Sequence, residues 1–164
     1  MRTGRTAWVV ALTSVTRKDL SDRSCASLLV ALSGTLHLLS DFDLFTTLTI
    51  LDAGGLIGSF HSVLVARSPA QASDPNYLPS AYTALAIPRH ARCVYIDSDA
   101  GAIVAAKLLG WDGCLVARTG ILRYGRRPGG AARRGRRVGH GAWYDHRFPN
   151  LRRALAYYIF GARA

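Results

Sequence analysis

The stretch Cys93–Leu115, CVYIDSDAGAIVAAKLLGWDGCL, decides the fold predicted for this chain. Its apolar start, Cys93–Ile96, has the length and the bulky side chains of a buried strand. The short polar side chains of Asp97–Asp99 follow, and they are typical of the start of a helix. The alanine-rich segment Ala100–Leu109 predicts that helix, and the apolar run Gly113–Val116 predicts the next strand.

Strand, acidic turn, helix and strand in this order predict a βαβ unit with carboxylates where the first strand ends. In open α/β sheets, ligands bind at that edge. We therefore expect an α/β fold: a partial Rossmann-like, mostly parallel sheet with flanking helices, right-handed connections and a basic, flexible C-terminal segment.

Length and composition are those of a globular domain, with 164 residues of which 49% are hydrophobic and 19% charged. We divide the chain into an N-terminal segment of uncertain structure (1–24), an α/β core (25–118) and an Arg/Gly-rich basic tail (119–164). Within the tail, Leu151–Phe160 predicts a closing helix.

Upstream of the βαβ unit, the apolar run Cys25–Leu32 predicts a strand and Leu36–Leu44 a short helix. The polar turn between them, Ser33-Gly34-Thr35, would then stand at a strand end, like Asp97 and Asp99. If the two strands are parallel neighbours, their ends converge on one crevice. Hydroxyl and amide groups suit a phosphate oxygen and carboxylates suit Mg²⁺, a combination used for phosphoryl transfer.

The order of these motifs resembles the C-terminal half of a hydrolase of the haloacid dehalogenase superfamily, over about residues 26–117. Ser33 matches the hydroxyl residue of the family's second motif, and Asp97 matches the metal-binding acid of the fourth. Asp74-Pro75 matches the end of the third motif's loop, and Ala105–Trp111 matches the end of the helix after the fourth motif.

The resemblance implies a Mg²⁺-dependent phosphatase-type hydrolase acting on a phosphorylated small molecule. Ser33 and Asp97 would be its catalytic residues. Ser33, Gly34 and Thr35 would bind substrate, and Asp97 with Asp99 would bind the metal.

Two parts of the family's site are not found in the sequence. The nucleophile and its partner acid belong on an N-terminal strand in an Asp-x-Asp pattern, whereas Asp41-Phe42-Asp43 follows the second motif and reads as a solvated pair at a helix boundary. The third motif's lysine should lie near Ala72 or Ser73. Without these groups no aspartyl-phosphate forms with its charge balanced, so an active hydrolase and a truncated or inactive one both stay open.

Each motif also has a structural interpretation. Asp97 and Asp99 would serve equally as helix caps, without any metal. Ser33-Gly34-Thr35 would serve as an ordinary turn.

The net charge of +11 belongs to the end of the chain, because residues 118–164 contain twelve arginines and one acid, Asp145. We therefore hold a second hypothesis, a non-catalytic remnant whose basic tail binds nucleic acid or another acidic partner. Its candidate contacts are Arg126, Arg127, Arg133, Arg134, Arg136 and Arg137.

The three cysteines are odd in number and show no CxxC spacing, which favours a reducing compartment without a zinc site. The most apolar stretch, Leu44–Ala66, is interrupted by Asp52, Gly54-Gly55 and His61, so we expect no membrane span. The chain is expected to be cytoplasmic, and nothing in the sequence indicates its oligomeric state.

Overall fold

A six-stranded parallel sheet organises the residues that the computed structural model describes, which are 6–72, 74, 76–88, 90–117 and 145–161. The strand order is β3-β2-β1-β4-β5-β6, and every neighbouring pair is parallel. The strands are β1 (Thr6–Leu12), β2 (Thr35–Ser40), β3 (Ser62–Leu64), β4 (Arg92–Asp97), β5 (Asp112–Val116) and β6 (His146–Phe148).

Helices cover both faces of this sheet, so the predicted α/β class with flanking helices is confirmed. One face packs against α1, α2, α3 and α7, and the other packs against α5 and α6. The helices are α1 (Arg17–Leu20), α2 (Arg23–Ala31), α3 (Leu44–Ala53), α4 (Pro69–Ala72), α5 (Tyr77–Ala84), α6 (Ala100–Leu108) and α7 (Leu151–Phe160).

The predicted βαβ unit is present as β4, α6 and β5. Parallel pairing runs from Val94 with Asp112 to Asp97 with Leu115. Since β4 is buried from its second residue to its last, the apolar run there serves a strand covered on both faces.

The sheet extends beyond the predicted core of 25–118 in both directions. Thr6–Leu12, in the segment whose structure the sequence left uncertain, forms the central strand between β2 and β4. At the other end, β6 joins the sheet edge, and α7 confirms the predicted helix with the same bounds.

Two upstream elements were predicted wrongly, and their types are exchanged. Cys25–Leu32 was predicted as a strand, but it lies largely in helix α2, which begins after Asp22 accepts a hydrogen bond from the Ser24 amide. Leu36–Leu44 was predicted as a helix, but its first half lies in β2. A short apolar run is compatible with a helix or with a strand. Here the Asp22 cap favours the helix α2, and burial on both faces favours the strand β2.

No helix among the described residues is long and apolar enough to cross a membrane.

Candidate functional site

The carboxyl ends of β1, β2 and β4 meet at one edge of the sheet. Leu12 at the end of β1 pairs with Ser40 at the end of β2, and Val10 pairs with Ile96 just before Asp97. The residues that leave these strands are Thr13, Asp41 and Asp97, so their side chains form the candidate site. This is the edge at which open α/β sheets bind ligands.

Asp97 is fully buried at this edge, and both of its carboxylate oxygens accept hydrogen bonds. Its Oδ2 accepts from the Tyr95 hydroxyl and from Arg67 Nη1, the latter over 2.8 Å. Its Oδ1 accepts from the backbone amide of Asp99 over 3.0 Å. A buried carboxylate is stable only with such partners, and here Tyr95 and Asp99 are its near neighbours in the chain, whereas Arg67 comes from a distant loop.

Arg67 reaches Asp97 from the loop that follows β3. Its backbone amide donates to the Ser40 carbonyl over 2.8 Å, and the preceding residue, Ala66, has a φ of 59°. This left-handed turn is unusual for a residue other than glycine and directs the Arg67 side chain over the sheet edge. The guanidinium Nε lies 2.7 Å from Asp41 Oδ1, so one cation joins two carboxylates.

The electrostatics of this cluster hold Arg67 in its charged form. Burial opposes that charge, but the charge of Asp97 and the hydrogen bonds that Arg67 donates to both carboxylates raise the pKa of Arg67 overall. Burial raises the pKa of Asp41, and the charges of Asp97 and Asp99 add to this against the opposing effect of Arg67. Burial and the charge of Asp97 raise the pKa of Tyr95 well above its usual value, so its hydroxyl stays a donor.

Arg67 is the site residue that sequence reasoning missed. The resemblance called for a lysine near Ala72 or Ser73, but the cation stands earlier in the chain and is an arginine. One signal was available: Arg67 is the lone charged residue between Asp52 and Asp74.

Thr13 occupies the end of the central strand. Its hydroxyl oxygen lies 2.7 Å from that of Ser98 and also accepts from the amides of Val15 and Thr16. The next acid along the chain, Asp19, accepts a hydrogen bond from the Leu151 amide at the start of α7. The end of β1 therefore presents hydroxyl groups where the resemblance implies a nucleophilic carboxylate.

Ser33, Gly34 and Thr35 do not lie with Asp97. Ser33 and Gly34 precede β2 and Thr35 begins it, so all three stand at the opposite edge of the sheet. The six residues of β2 separate the two edges by roughly 20 Å. Their contacts there are local: the Ser33 carbonyl accepts from Trp8 Nε1, and the Thr35 hydroxyl bonds His37 Nε2. The predicted convergence of the two motifs was wrong because its upstream strand is a helix.

Ser40 is the hydroxyl residue that ends β2 at the carboxyl edge. It is fully buried, and its Oγ lies 2.7 Å from Thr47 Oγ1 in α3. Leu36–Ser40 is a largely apolar run that ends in serine, but the prediction placed it in a helix over Leu36–Leu44.

The remaining acids at this edge cap helices or pair with Arg67. Asp99 accepts from the Ala102 amide over 3.0 Å and begins α6, which agrees with the capping interpretation of this residue. Asp43 accepts from the Thr46 amide over 2.9 Å and begins α3 as an exposed residue. Its neighbour Asp41, predicted with Asp43 as a solvated pair, is exposed as well, and it is also the second partner of Arg67.

Magnesium would need open carboxylate oxygens at this edge. The described part of the chain contains no group of three His, Cys, Asp or Glu side chains placed to hold a metal ion. Asp97 already shares its two oxygens among Arg67, Tyr95 and the Asp99 amide. The structure thus shows Asp97 with both oxygens already hydrogen-bonded, and magnesium binding at this edge stays a prediction.

The six arginines proposed to contact nucleic acid, at 126, 127, 133, 134, 136 and 137, lie outside the described residues, as does Pro75. No protein-family model matches this sequence, and none of the curated proteins matches it.

Three solved structures are similar to this chain, and one of them has a TM-score above 0.5. The chain is similar to the L-2-haloacid dehalogenase of Xanthobacter autotrophicus, solved with chloropropionic acid covalently bound, at 18% identity and a TM-score of 0.53 over 85% of this chain and 60% of that one. A second structure of that enzyme matches at 21% identity, with a TM-score of 0.45 over 58% of this chain and 40% of that one. A candidate β-phosphoglucomutase of Thermotoga maritima matches at 16% identity, with a TM-score of 0.44 over 71% and 50%.

The first of these similarities confirms the fold that the motif order suggested, a haloacid dehalogenase-like α/β fold. The chain spans less than two thirds of the protein it resembles there, and the identity is low. The similarity therefore concerns the fold.

Proposed function

We propose that this chain is a non-hydrolytic domain of the haloacid dehalogenase-like fold, and that its basic C-terminal region binds nucleic acid or another acidic partner. The first half of this proposal rests on the carboxyl edge of the sheet. The second half rests on the distribution of charge along the chain.

The observation that carries the non-hydrolytic assignment is Thr13 at the end of the central strand. Covalent phosphoryl transfer by this type of fold needs a carboxylate there, and an unactivated hydroxyl is a weak nucleophile. The Thr13 hydroxyl has the hydroxyls of Ser98 and Thr16 and two backbone amides as its partners, and none of these is a base. Among the described residues, no base contacts this hydroxyl to remove its proton.

Arg67 supports the same proposal. Its guanidinium neutralises Asp97 from a position that is 1% exposed, and it also holds Asp41. A carboxylate bonded in this way depends on its cation to remain buried and has little freedom to bind a metal ion.

The acidic-partner half follows from the twelve arginines of residues 118–164. Clustered guanidinium groups bind phosphodiester backbones through charge and paired hydrogen bonds. The competing proposal remains a Mg²⁺-dependent phosphatase acting on a phosphorylated small molecule, with Asp97 and Asp99 as metal ligands.

Hydrolysis of p-nitrophenyl phosphate with Mg²⁺ separates the two proposals. We expect wild-type protein, shown to be folded by circular dichroism, to release no more nitrophenol than buffer does. Activity that is lost in Asp97→Asn would overturn the non-hydrolytic assignment. Asp99→Asn is the companion variant, because an asparagine still caps α6 while removing the charge that a metal would need.

The binding half is tested with the full chain and labelled DNA or RNA in a fluorescence anisotropy titration. We expect saturable binding at low salt that weakens steeply as salt is added. Absence of binding at low ionic strength would remove the nucleic-acid form of the proposal.

A further inference from the structure

Most cations of the described residues fall into two groups. Arg67, Arg92 and Lys107 form the ion pairs found in the described ranges. A second group is exposed, and none of its members has a carboxylate within ion-pair distance among the described residues. We call this second group the basic patch, and it consists of Arg17, Lys18, Arg23, Arg152 and Arg153.

The helices α1, α2 and α7 bring the basic patch together on one face of the sheet. Leu20, Cys25 and Leu155 from these helices share one hydrophobic core. The Leu151 amide at the start of α7 donates to Asp19 Oδ2 over 2.8 Å, which ties α7 to α1. The elements that carry the patch therefore form one packed unit.

Cations of different helices act on the carboxylate of Asp22. Hydrogen bonds from Ser24 lower the pKa of Asp22, and the charges of Arg152 on α7 and Lys18 on α1 lower it further. Arg23 follows Asp22 directly in the chain. Cations of α1 and α7 thus lie near the carboxylate that begins α2.

The local acids do not neutralise the patch. Asp22 accepts from the Ser24 amide at the start of α2, and Asp19 accepts from the Leu151 amide. Both carboxylates are used at helix N-termini, where they balance the partial positive charge of the helix. Since five cations face two capping acids, the surface carries an excess of positive charge.

We propose that the basic patch is a nucleic-acid interface, which contacts the phosphodiester backbone and adds to the contacts made by the arginine-rich remainder of residues 118–164. This proposal rests on the proposed function, since it names the surface that would serve it. Arginine dominates the patch, and guanidinium groups match phosphate oxygens in pairs.

A crevice of about 240 Å³ beside the patch gives this surface some relief, and Lys18, Asp19 and Asn150 line it. A lipid surface fits less well, because Leu151, Ala154 and Leu155 of α7 are buried. The exposed apolar side chains of Val30 and Phe160 stand near the C-terminal ends of α2 and α7, whereas the cations stand near the N-terminal ends.

The test is an anisotropy titration of the full chain against a fluorescein-labelled DNA duplex of about 20 base pairs, repeated over a range of salt concentrations. Arg152→Gln with Arg153→Gln is the first variant and Arg17→Gln with Lys18→Gln is the second. Glutamine keeps helix propensity, so both variants should fold. Arg92→Gln with Lys107→Gln removes the same charge outside the patch and is the matched control.

We expect each patch variant to reduce the magnitude of the negative slope of log K for DNA binding against log salt by about 2. The control variant should leave this slope unchanged. Equal slopes for all four proteins would contradict the role given to the basic patch, while binding by the other arginines of residues 118–164 would still be possible. Absence of wild-type binding at low salt would overturn both. Tighter binding to vesicles of anionic phospholipid than to the duplex would overturn the choice of partner.

Discussion

Arg67 Nη1 lies 2.8 Å from Asp97 Oδ2, in a pair whose side chains are 1% and 0% exposed. This contact links the loop after β3 to the end of β4 across the central strand. Side chains of the protein itself therefore cover this edge of the haloacid dehalogenase-like sheet. Asp97, the acid that the motif order indicates for catalysis, is thus also part of a buried structural ion pair.

Removing the Arg67 charge should therefore destabilise the protein strongly. Arg67→Met leaves Asp97 buried without its cation, and we expect a loss of about 3–5 kcal/mol in the free energy of unfolding. Urea denaturation followed by circular dichroism measures this loss.

Arg92→Met is the matched control, because Arg92 pairs with Asp112 in a bridge whose side chains are 67% and 36% exposed. Its loss should cost about 0–1 kcal/mol. Adding Asp97→Asn to Arg67→Met should recover part of the Arg67 loss, since the unpaired charge is then gone. Equal costs for the two arginines would contradict the role given to the buried pair.

Asp99 allows its two interpretations to be separated directly. Because its side chain caps α6, Asp99→Ala should cost about 1 kcal/mol while Asp99→Asn should cost a few tenths at most. Thermal unfolding with and without Mg²⁺ is the measurement. A Mg²⁺-dependent rise in the melting temperature that wild type shows and Asp99→Asn lacks would instead identify a metal ligand.

The sequence predicted the structure correctly where a single segment carries both its hydrophobic pattern and its helix cap. The unit from Cys93 to Leu115 has a strand, a capping acid, a helix and a second strand in order, and the structure reproduces it. The same holds for Leu151–Phe160, where buried residues recur on one side of the helix. Local pattern and tertiary packing agree in these places.

The site could not be predicted in the same way, because it is a product of tertiary placement. Arg67 becomes important only when the loop after β3 turns over the sheet edge and meets Asp41 and Asp97. Thr13 becomes important only when Thr6–Leu12 proves to be the central strand. Because the prediction had a strand in place of α2 and a helix in place of β2, it also placed Ser33 at the wrong edge of the sheet.

Gly34 should prove to be a structural residue. A Cβ placed there would lie 2.0 Å from the Thr6 carbonyl oxygen, and its φ of 136° is unfavourable for other residues. We expect Gly34→Ala to cost more than about 3 kcal/mol or to prevent folding.

Gly55→Ala is the matched control, because Gly55 has a φ of 69° with nothing within 4 Å of an added Cβ. Its cost should stay near about 1–2 kcal/mol, since backbone strain is the main penalty there. Unfolding curves of both variants give the comparison. Similar stabilities would show that the contact with β1 does not constrain this turn.

His37 should make stability fall as the pH is lowered. Its ring is 3% exposed, with Nδ1 lying 2.7 Å from Ser62 Oγ. Ser62 donates its own proton to the Leu85 carbonyl, so it accepts from Nδ1–H, and the neutral Nε2 accepts from Thr35. Burial, aided by the charge of His61, lowers the pKa of His37 from 6.5 to about 4.

The unfolded chain therefore takes up a proton at His37 before the folded protein does. Its contribution to stability is complete above pH 6.5 and declines as the pH falls towards about 4, below which both states are protonated. Since a tenfold difference in proton affinity is worth about 1.4 kcal/mol, the loss over this window is about 3 kcal/mol. Urea midpoints of wild type and His37→Gln between these pH values measure it. The variant should be less stable at neutral pH but flatter across the window, whereas His61→Gln should keep most of the wild-type slope. Parallel curves for wild type and His37→Gln would assign the pH dependence to other groups.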